Sequence, residues 1–437
     1  MKSPAQPTPQ PVQTPTPEHQ RSWVVEHSPV YYGWVILAAA TFGLMMTTPG
    51  QTVGVSVFLD KIIAELGLQR TTVSLLYTVG TLIGSFSLPF VGRFIDWRGP
   101  RLAVVLIASL FALACVWMGF VNGLVTLLVG FILIRGLGQG ALGLVSLYVV
   151  NIWFVRRRGL AVGLSGLGIA LGSSFFPPLI EVLLGAFGWR TAYMLLGRLV
   201  AVTILPLGAW LFRAHPERFG LQPDGAALPQ ADLTLNEVNY TLGEAQRTLT
   251  FWVFAGGAVC VAAFGTGLLF HHYDIMMARG VTREVAATMF VTFGLVMAGT
   301  NFVTGVLVDR VPPRFLLSAM LALLCTSLWF APQVDGPTLM LAYGTLFGLT
   351  QGMQGAIQGS VYAHYFGREY IGSIKGFVST LSVAGTAFGP FLFAVGLDTF
   401  GGYAPILLLC ATLPLAVAIT ALFVKPPRAD APHNSLA

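Results

Sequence analysis

The sequence predicts an all-α integral membrane protein, with twelve transmembrane helices in two pseudo-symmetric six-helix bundles. Three observations carry that prediction. The first is composition: of 437 residues, 55% are apolar and only 10% charged, with a mean hydropathy of +0.75. A soluble domain carries about 25% charged residues, so this chain is solvated mainly by lipid. The second is the spacing of apolar runs, each near the roughly 20 residues that a spanning helix needs. The third is an internal repeat. The stretch GRFIDWRGPR, Gly92 to Arg101, recurs as GVLVDRVPPR, Gly305 to Arg314. Gly opens each copy, Asp96 or Asp309 follows, and Arg101 or Arg314 closes it, all at one constant offset close to half the chain.

Taken in order, residues 1–30 are rich in Pro, Thr and Gln (PAQPTPQPVQTPTPEHQ), lack an apolar core of signal-peptide length, and are expected to form a disordered cytoplasmic tail. Apolar runs near 31–59, 71–95, 101–121, 123–150, 158–186 and 190–212 make an N-terminal bundle over 31–212. A polar linker, 213–249, separates it from runs near 250–278, 283–308, 314–332, 335–363, 371–398 and 402–424. These form a C-terminal bundle over 250–424, followed by a cytoplasmic tail, 425–437. Further anchors support the duplication. Pro177 with Pro390 and Phe187-Gly188 with Phe400-Gly401 repeat at the same offset as the loops, and Gln139-Gly140 with Gln351-Gly352 at nearly the same one. Pro49-Gly50 and Pro177-Pro178 are expected kinks.

The net charge of +6 is spread over alternate ends of the runs and forms no basic face, so no nucleic-acid partner is expected. With the N-terminus inside, seventeen Lys and Arg fall in inner segments against five in outer ones. The positive-inside rule then places both termini in the cytoplasm, and the expected location is the bacterial inner (plasma) membrane. Cys115, Cys260, Cys325 and Cys410 stand singly in apolar runs without metal-ligand spacing, so they read as packing residues. No cofactor or metal is expected. The chain has no GxxxxGK[ST] loop, no HExxH and no Ser/His/Asp constellation, which argues against ATP-driven work and against an enzyme.

Polar residues inside such runs are the candidate functional groups, because each is costly in lipid unless it meets water or a partner. Arg135 lies well inside run four, and it either faces a cavity or bonds backbone carbonyls. Run ten carries Gln351, Gln354 and Gln358 at i, i+3 and i+7, with Tyr362 continuing that face; run four echoes it with Gln139 and Tyr148. This face either lines a cavity or hydrogen-bonds between helices. Run seven ends FHHYDIMMARG, where His271, His272 and Asp274 either couple protons or sit at the interface. Glu181, beyond the Pro177-Pro178 kink, is either a proton carrier or an outer-end polar residue. In the repeated loops, Gly92, Asp96 and Arg101, and Gly305, Asp309, Arg310 and Arg314, either gate the movement of one half against the other or only fix packing.

These residues resemble the major facilitator superfamily over 31–424. Gly92, Asp96, Gly99 and Arg101, and in the second half Gly305, Asp309, Arg310 and Arg314, match its Gly-x-x-x-Asp-Arg-x-Gly-Arg-Arg loop. Arg135 with RGLGQG resembles its second motif. YYGWVIL, RRRGLAVGLSGLGIALG, GWRTAYMLLG and PERFGLQPDG are similar to the monocarboxylate transporter and oxalate–formate antiporter branch. That branch's helix-eight Asp-x-x-x-Arg pair is replaced by Met297 and Asn301, and its helix-eleven Lys corresponds loosely to Lys375, which also reads as a snorkelling anchor. The resemblance implies a secondary active transporter moving a small organic anion, a mono- or dicarboxylate, by alternating access with proton symport or exchange. The implied partners are that solute, the bilayer and protons, with the protein a monomer. A proton-coupled drug exporter and a non-transporting solute sensor are the alternatives.

Overall fold

The computed structural model describes residues 22–154, 157–225, 240–308, 310–366 and 371–424. Among them the secondary structure is helical, with no strand. Six long helices come first: α1 (Tyr32–Leu66), α2 (Arg70–Ile95), α3 (Pro100–Met118), α4 (Leu124–Trp153), and α5 and α6, the parts of Arg158–Leu211 before and after Gly188. The second set is α7 (Leu249–Phe270), α8 (Arg283–Leu307), α9 (Pro313–Gln333), α10 (Pro337–Phe366), α11 (Ile371–Phe400) and α12 (Tyr403–Phe423).

Ten helices among the described residues are long and apolar enough to cross a membrane. The difference from the expected twelve has two sources. Arg158–Leu211 is continuous by hydrogen bonding, yet Gly188 has φ 74° and ψ 167°, a left-handed value that Gly adopts without strain, and the chain turns there. Helix α10 falls outside the ten; it carries the three glutamines, with Tyr362, His364 and Tyr365 near its end. The expected kink at Pro49-Gly50 is present as a 3₁₀ turn, Thr48–Gly50, within α1. Pro177 and Pro178 lie inside the helix, and the chain turns further on, at Gly188.

The same pairing of helices occurs in both halves: α1 on α5, α2 on α4 and α3 on α6, then α7 on α11, α8 on α10 and α9 on α12. Small residues make these approaches. A Cβ at Gly168 would overlap the Thr41 carbonyl oxygen, and one at Gly389 would overlap that of Ala263. The repeat also fixes the turns, because Gly401, the counterpart of Gly188 in the second half, has φ 70°. Between the halves, α5 meets α8 and α2 meets α11. The linker is described up to residue 225 and again from 240, where Tyr240 N donates to Phe366 O and a five-residue helix, Leu242–Gln246, is closed by a Thr241–Glu244 capping box. Residues 226–239, the expected tail 425–437 and residues 1–21 of the expected 1–30 tail lie outside the described residues; within 22–30 the chain forms a short helix, Trp23–Glu26.

Candidate functional site

The helix ends at the α1–α2 turn hold the chemistry that joins the two halves. Arg70, opening α2, bonds Asp60 at 2.6 Å within its own half and Asp274 at 2.9 Å across to the other. Arg283, opening α8, crosses the other way, reaching Asp60 at 2.8 Å, Glu181 at 2.9 Å and the Val57 carbonyl at 2.7 Å. Its guanidinium also lies 4.5 Å from the centre of the Tyr273 ring. Thr71 donates to Asp398, again between halves, and Thr78 Oγ1 donates to the Ala387 carbonyl at 2.6 Å. Two arginines and three carboxylates, all with side chains between 14% and 26% exposed, thus close this end with alternating charge.

The same network contains a hydrogen shortage. His271 is fully buried, and its Nε2 stands 2.8 Å from the Pro390 carbonyl oxygen, which can only accept, so Nε2 carries a hydrogen. The Tyr403 hydroxyl faces His271 Nδ1 at 3.0 Å and Asp274 Oδ2 at 2.5 Å, with one hydrogen for two contacts. Neutral His271, Tyr403 and ionised Asp274 together supply two hydrogens for three bonds. One added proton, on His271 Nδ1 or on Asp274, satisfies all three. His272 stands apart: its Nε2 lies 2.9 Å from the Ala286 carbonyl, and its ring packs among Tyr273, Phe290 and Tyr343, a position in the α7–α8 packing rather than in the network.

Deeper in the bundle, Arg135 begins a π-helical segment of α4, Arg135–Leu142, and is 3% exposed. Its Nε donates to Thr81 Oγ1 at 3.0 Å and its Nη1 to the Gly50 carbonyl at 3.1 Å, while its guanidinium lies 4.7 Å from the Tyr77 ring centre. Nη2 is buried with no hydrogen-bond partner among the described residues. Arg135 therefore holds α1, α2 and α4 together and keeps one donor unspent. Tyr77 in turn packs on Phe270 of α7, at 4.6 Å between ring centres, so this cluster borders the second half.

Gln139 on α4 and Gln354 on α10 are half-buried, and each has an Oε1 without a partner among the described residues. Gln351 leans on α7, its Nε2 2.8 Å from where a Cβ of Gly265 would stand; Asn301 turns into the α8–α10 seam, its Nδ2 filling the Cβ position of Gly355. Gln358, Tyr148 and Lys375 are half-buried on α10, α4 and α11. The structure thus leaves Arg135, Gln139 and Gln354 with unspent polar atoms, while Asn301 and Gln351 fill close helix contacts.

At the opposite end, by the α2–α3 turn, a Cβ at Gly92 or at Gly305 would meet nothing within 4 Å, as is true of Gly67 and Gly280 at the α1–α2 end; one at Gly294, halfway along α8, would stand 2.5 Å from the Ala170 carbonyl of α5. Arg101 and Arg310 are exposed, and Arg314 is half-buried with its Nη1 3.3 Å from the Val424 carbonyl. Asp96 lies in the helical stretch Leu88–Arg98; Asp309 lies outside the described residues.

The Major Facilitator Superfamily model matches residues 33–278 and 253–436. The chain belongs to the major facilitator superfamily. Among curated relatives of this superfamily member, the oxalate:formate antiporter of Oxalobacter formigenes is 24% identical over 395 residues, covering 90% of this chain and 91% of that protein. Human monocarboxylate transporter 11 is 26% identical over 443 residues, covering 97% and 87%. These two represent the branch that the sequence motifs resemble. A solved bacterial homologue of the human lysosomal transporter Spinster, inward-facing and occupied, shares the fold with a TM-score of 0.66, 18% identity, and coverage of 89% of this chain and 95% of that one. The chain is a multi-pass membrane transporter of this superfamily.

For this facilitator, sequence reasoning named Asp274, Glu181 and His271 but missed their partners Asp60, Arg70, Arg283 and Tyr403. A signal was present: Arg70 and Arg283 are two of the few basic residues on the side that the positive-inside rule leaves poor in them, and Asp60 and Glu284 stand near them in the chain.

Proposed function

We propose that this chain is a proton-coupled secondary transporter of a small organic anion, a mono- or dicarboxylate, sited in a bacterial inner membrane with the α2–α3 end and both termini cytoplasmic. The observation that carries the reading is the contrast between the two ends. Among the described residues, the ion pairs between the halves, Arg70–Asp274, Arg283–Asp60 and Arg283–Glu181, all lie at the α1–α2 end. Alternating access needs such a pair of ends, one closed when the other is open. On this reading the conformation faces the cytoplasm, and the repeated Gly and Asp motifs, with Asp96, Asp309, Arg101, Arg310 and Arg314, close that end in the other half of the cycle.

The missing hydrogen at His271, Tyr403 and Asp274 supports proton coupling, because Asp274 is also the carboxylate that Arg70 reaches from the other half, so a proton bound there bears on the tie between the halves. The unspent Nη2 of Arg135, a cationic donor, supports an anionic solute. The organic-anion names carried by the relatives agree with it. Purified protein in proteoliposomes loaded with a pH dye tests the reading. Radiolabelled oxalate, formate or lactate is expected to enter, with lumen acidification when an inward proton gradient is imposed. Transport of a cationic dye with no carboxylate flux would replace it with drug export.

A further inference from the structure

A second concave site lies at the α2–α3 end, away from the central residues. Its cavity, about 430 Å³, is bounded by nine residues, four of them the arginines Arg98, Arg101, Arg213 and Arg218, with no acid among them. The arginines come from two places in the chain, the turn between α2 and α3 and the segment after α6. Ser22, just before the helix Trp23–Glu26, closes the wall. Arg213 is 8% exposed and fixed in place, its Nε donating to Ser22 Oγ at 3.2 Å and its Nη1 to the Phe212 carbonyl at 2.9 Å. Arg98 lies 4.0 Å from the Trp97 ring centre, so its face is occupied and its edge N–H groups remain available.

The backbone adds to the same field. Gly99 and Pro100 line the cavity at the start of α3, where no side chain caps the helix and Pro100 supplies no N–H. The positive end of a 19-residue helix therefore points into the cluster. Of the acids described on the segment after α6, Glu217 faces His215 at 4.0 Å and Asp224 accepts from Arg157 N at 3.0 Å. Burial first, and the adjacent Arg101 with it, push the Arg213 guanidinium downward against the opposing Tyr32, as expected of cations gathered without a counter-charge.

We propose that this cavity binds a phosphate group, and that its occupant is the headgroup of an anionic phospholipid in the adjacent leaflet. Two features favour a lipid over a soluble phosphate. Trp97, stacked on Arg98, and Trp210, three residues before Arg213, are 73% and 70% exposed, as tryptophans at headgroup depth are. Basic pockets between helices at that depth are the usual receptors for anionic headgroups. The occupant would also tie the Ser22 segment and the start of the linker to the α2–α3 turn.

The full-length protein in detergent tests this by native mass spectrometry and thermal shift, with phosphatidylglycerol, phosphatidylcholine and inorganic phosphate as probes. Phosphatidylglycerol should bind at least tenfold more tightly than phosphatidylcholine. Arg98→Gln with Arg218→Gln, both on the surface, should weaken it about thirtyfold, and the Lys pair at the same positions should recover most of that. Equal retention of the two lipids, or phosphatidylglycerol binding untouched by the Gln pair, would overturn the site. Stabilisation by inorganic phosphate that matches phosphatidylglycerol would overturn the lipid assignment.

Discussion

Replacing Arg283 by Gln removes two carboxylate contacts, to Asp60 at 2.8 Å and Glu181 at 2.9 Å, and the bond to the Val57 carbonyl at 2.7 Å. The magnitude lies between two limits. Exposed ion pairs contribute about 0.2–1 kcal/mol, and stripping one partner from a buried pair costs about 3–5 kcal/mol. Side chains that are 15% to 17% exposed fall between these, and Gln recovers part of the carbonyl bond, so about 2 kcal/mol of closure should be lost. That is about a thirtyfold shift of the equilibrium toward opening at the α1–α2 end. Spin labels at Lys61 and Arg279, both exposed at that end and in opposite halves, read it directly by pulsed electron resonance once the four cysteines are replaced. A longer-distance population should appear in the Gln variant. An unchanged distance distribution, with Arg70→Gln also unchanged, would refute the idea that these pairs hold the halves together.

Asp274→Asn removes the carboxylate that Arg70 reaches across the halves at 2.9 Å while leaving an amide donor for the Tyr403 hydroxyl, so a longer-distance population should appear with the same spin labels; an unchanged distribution would leave Asp274 outside the closure. Gly294→Ala should lower thermal stability by about 1–3 kcal/mol, since its Cβ would meet the Ala170 carbonyl at 2.5 Å, while Gly305→Ala, with nothing within 4 Å, should melt like the parent yet transport more slowly if this end closes around it. Arg135→Gln should weaken carboxylate affinity at least tenfold, read by the substrate dependence of uptake; an unaltered affinity would leave Arg135 a purely structural clamp.

Much of the fold was legible because lipid imposes few choices. Apolar length and the constant offset between the two halves together located the helices, and the turn glycines Gly188 and Gly401, one offset apart, both have positive φ, 74° and 70°. The glutamine face of α10 was legible as a period, but which amides stay unspent was not. That depends on whether a glycine of another helix, such as Gly265 or Gly355, lets the amide nestle against it. The closure network was the least legible part. Arg70 and Asp274 lie in opposite halves of the chain, and no local pattern states that their helices end side by side.

The wide turn that begins at Arg135 has a mechanical consequence. A Cβ at Gly50 would overlap the Ile134 carbonyl, Gly84 would set one 2.9 Å from the Gly136 nitrogen, and Gly138 comes within 3.2 Å of Gly50 by the same measure. Three backbones thus touch where the loosened coil bulges, with a guanidinium pinned across them. A wall built that way has no slack side chains to yield. Relative motion of the halves is then expected at seams such as that of α2 with α11, with α1, α2 and α4 travelling as a single plate.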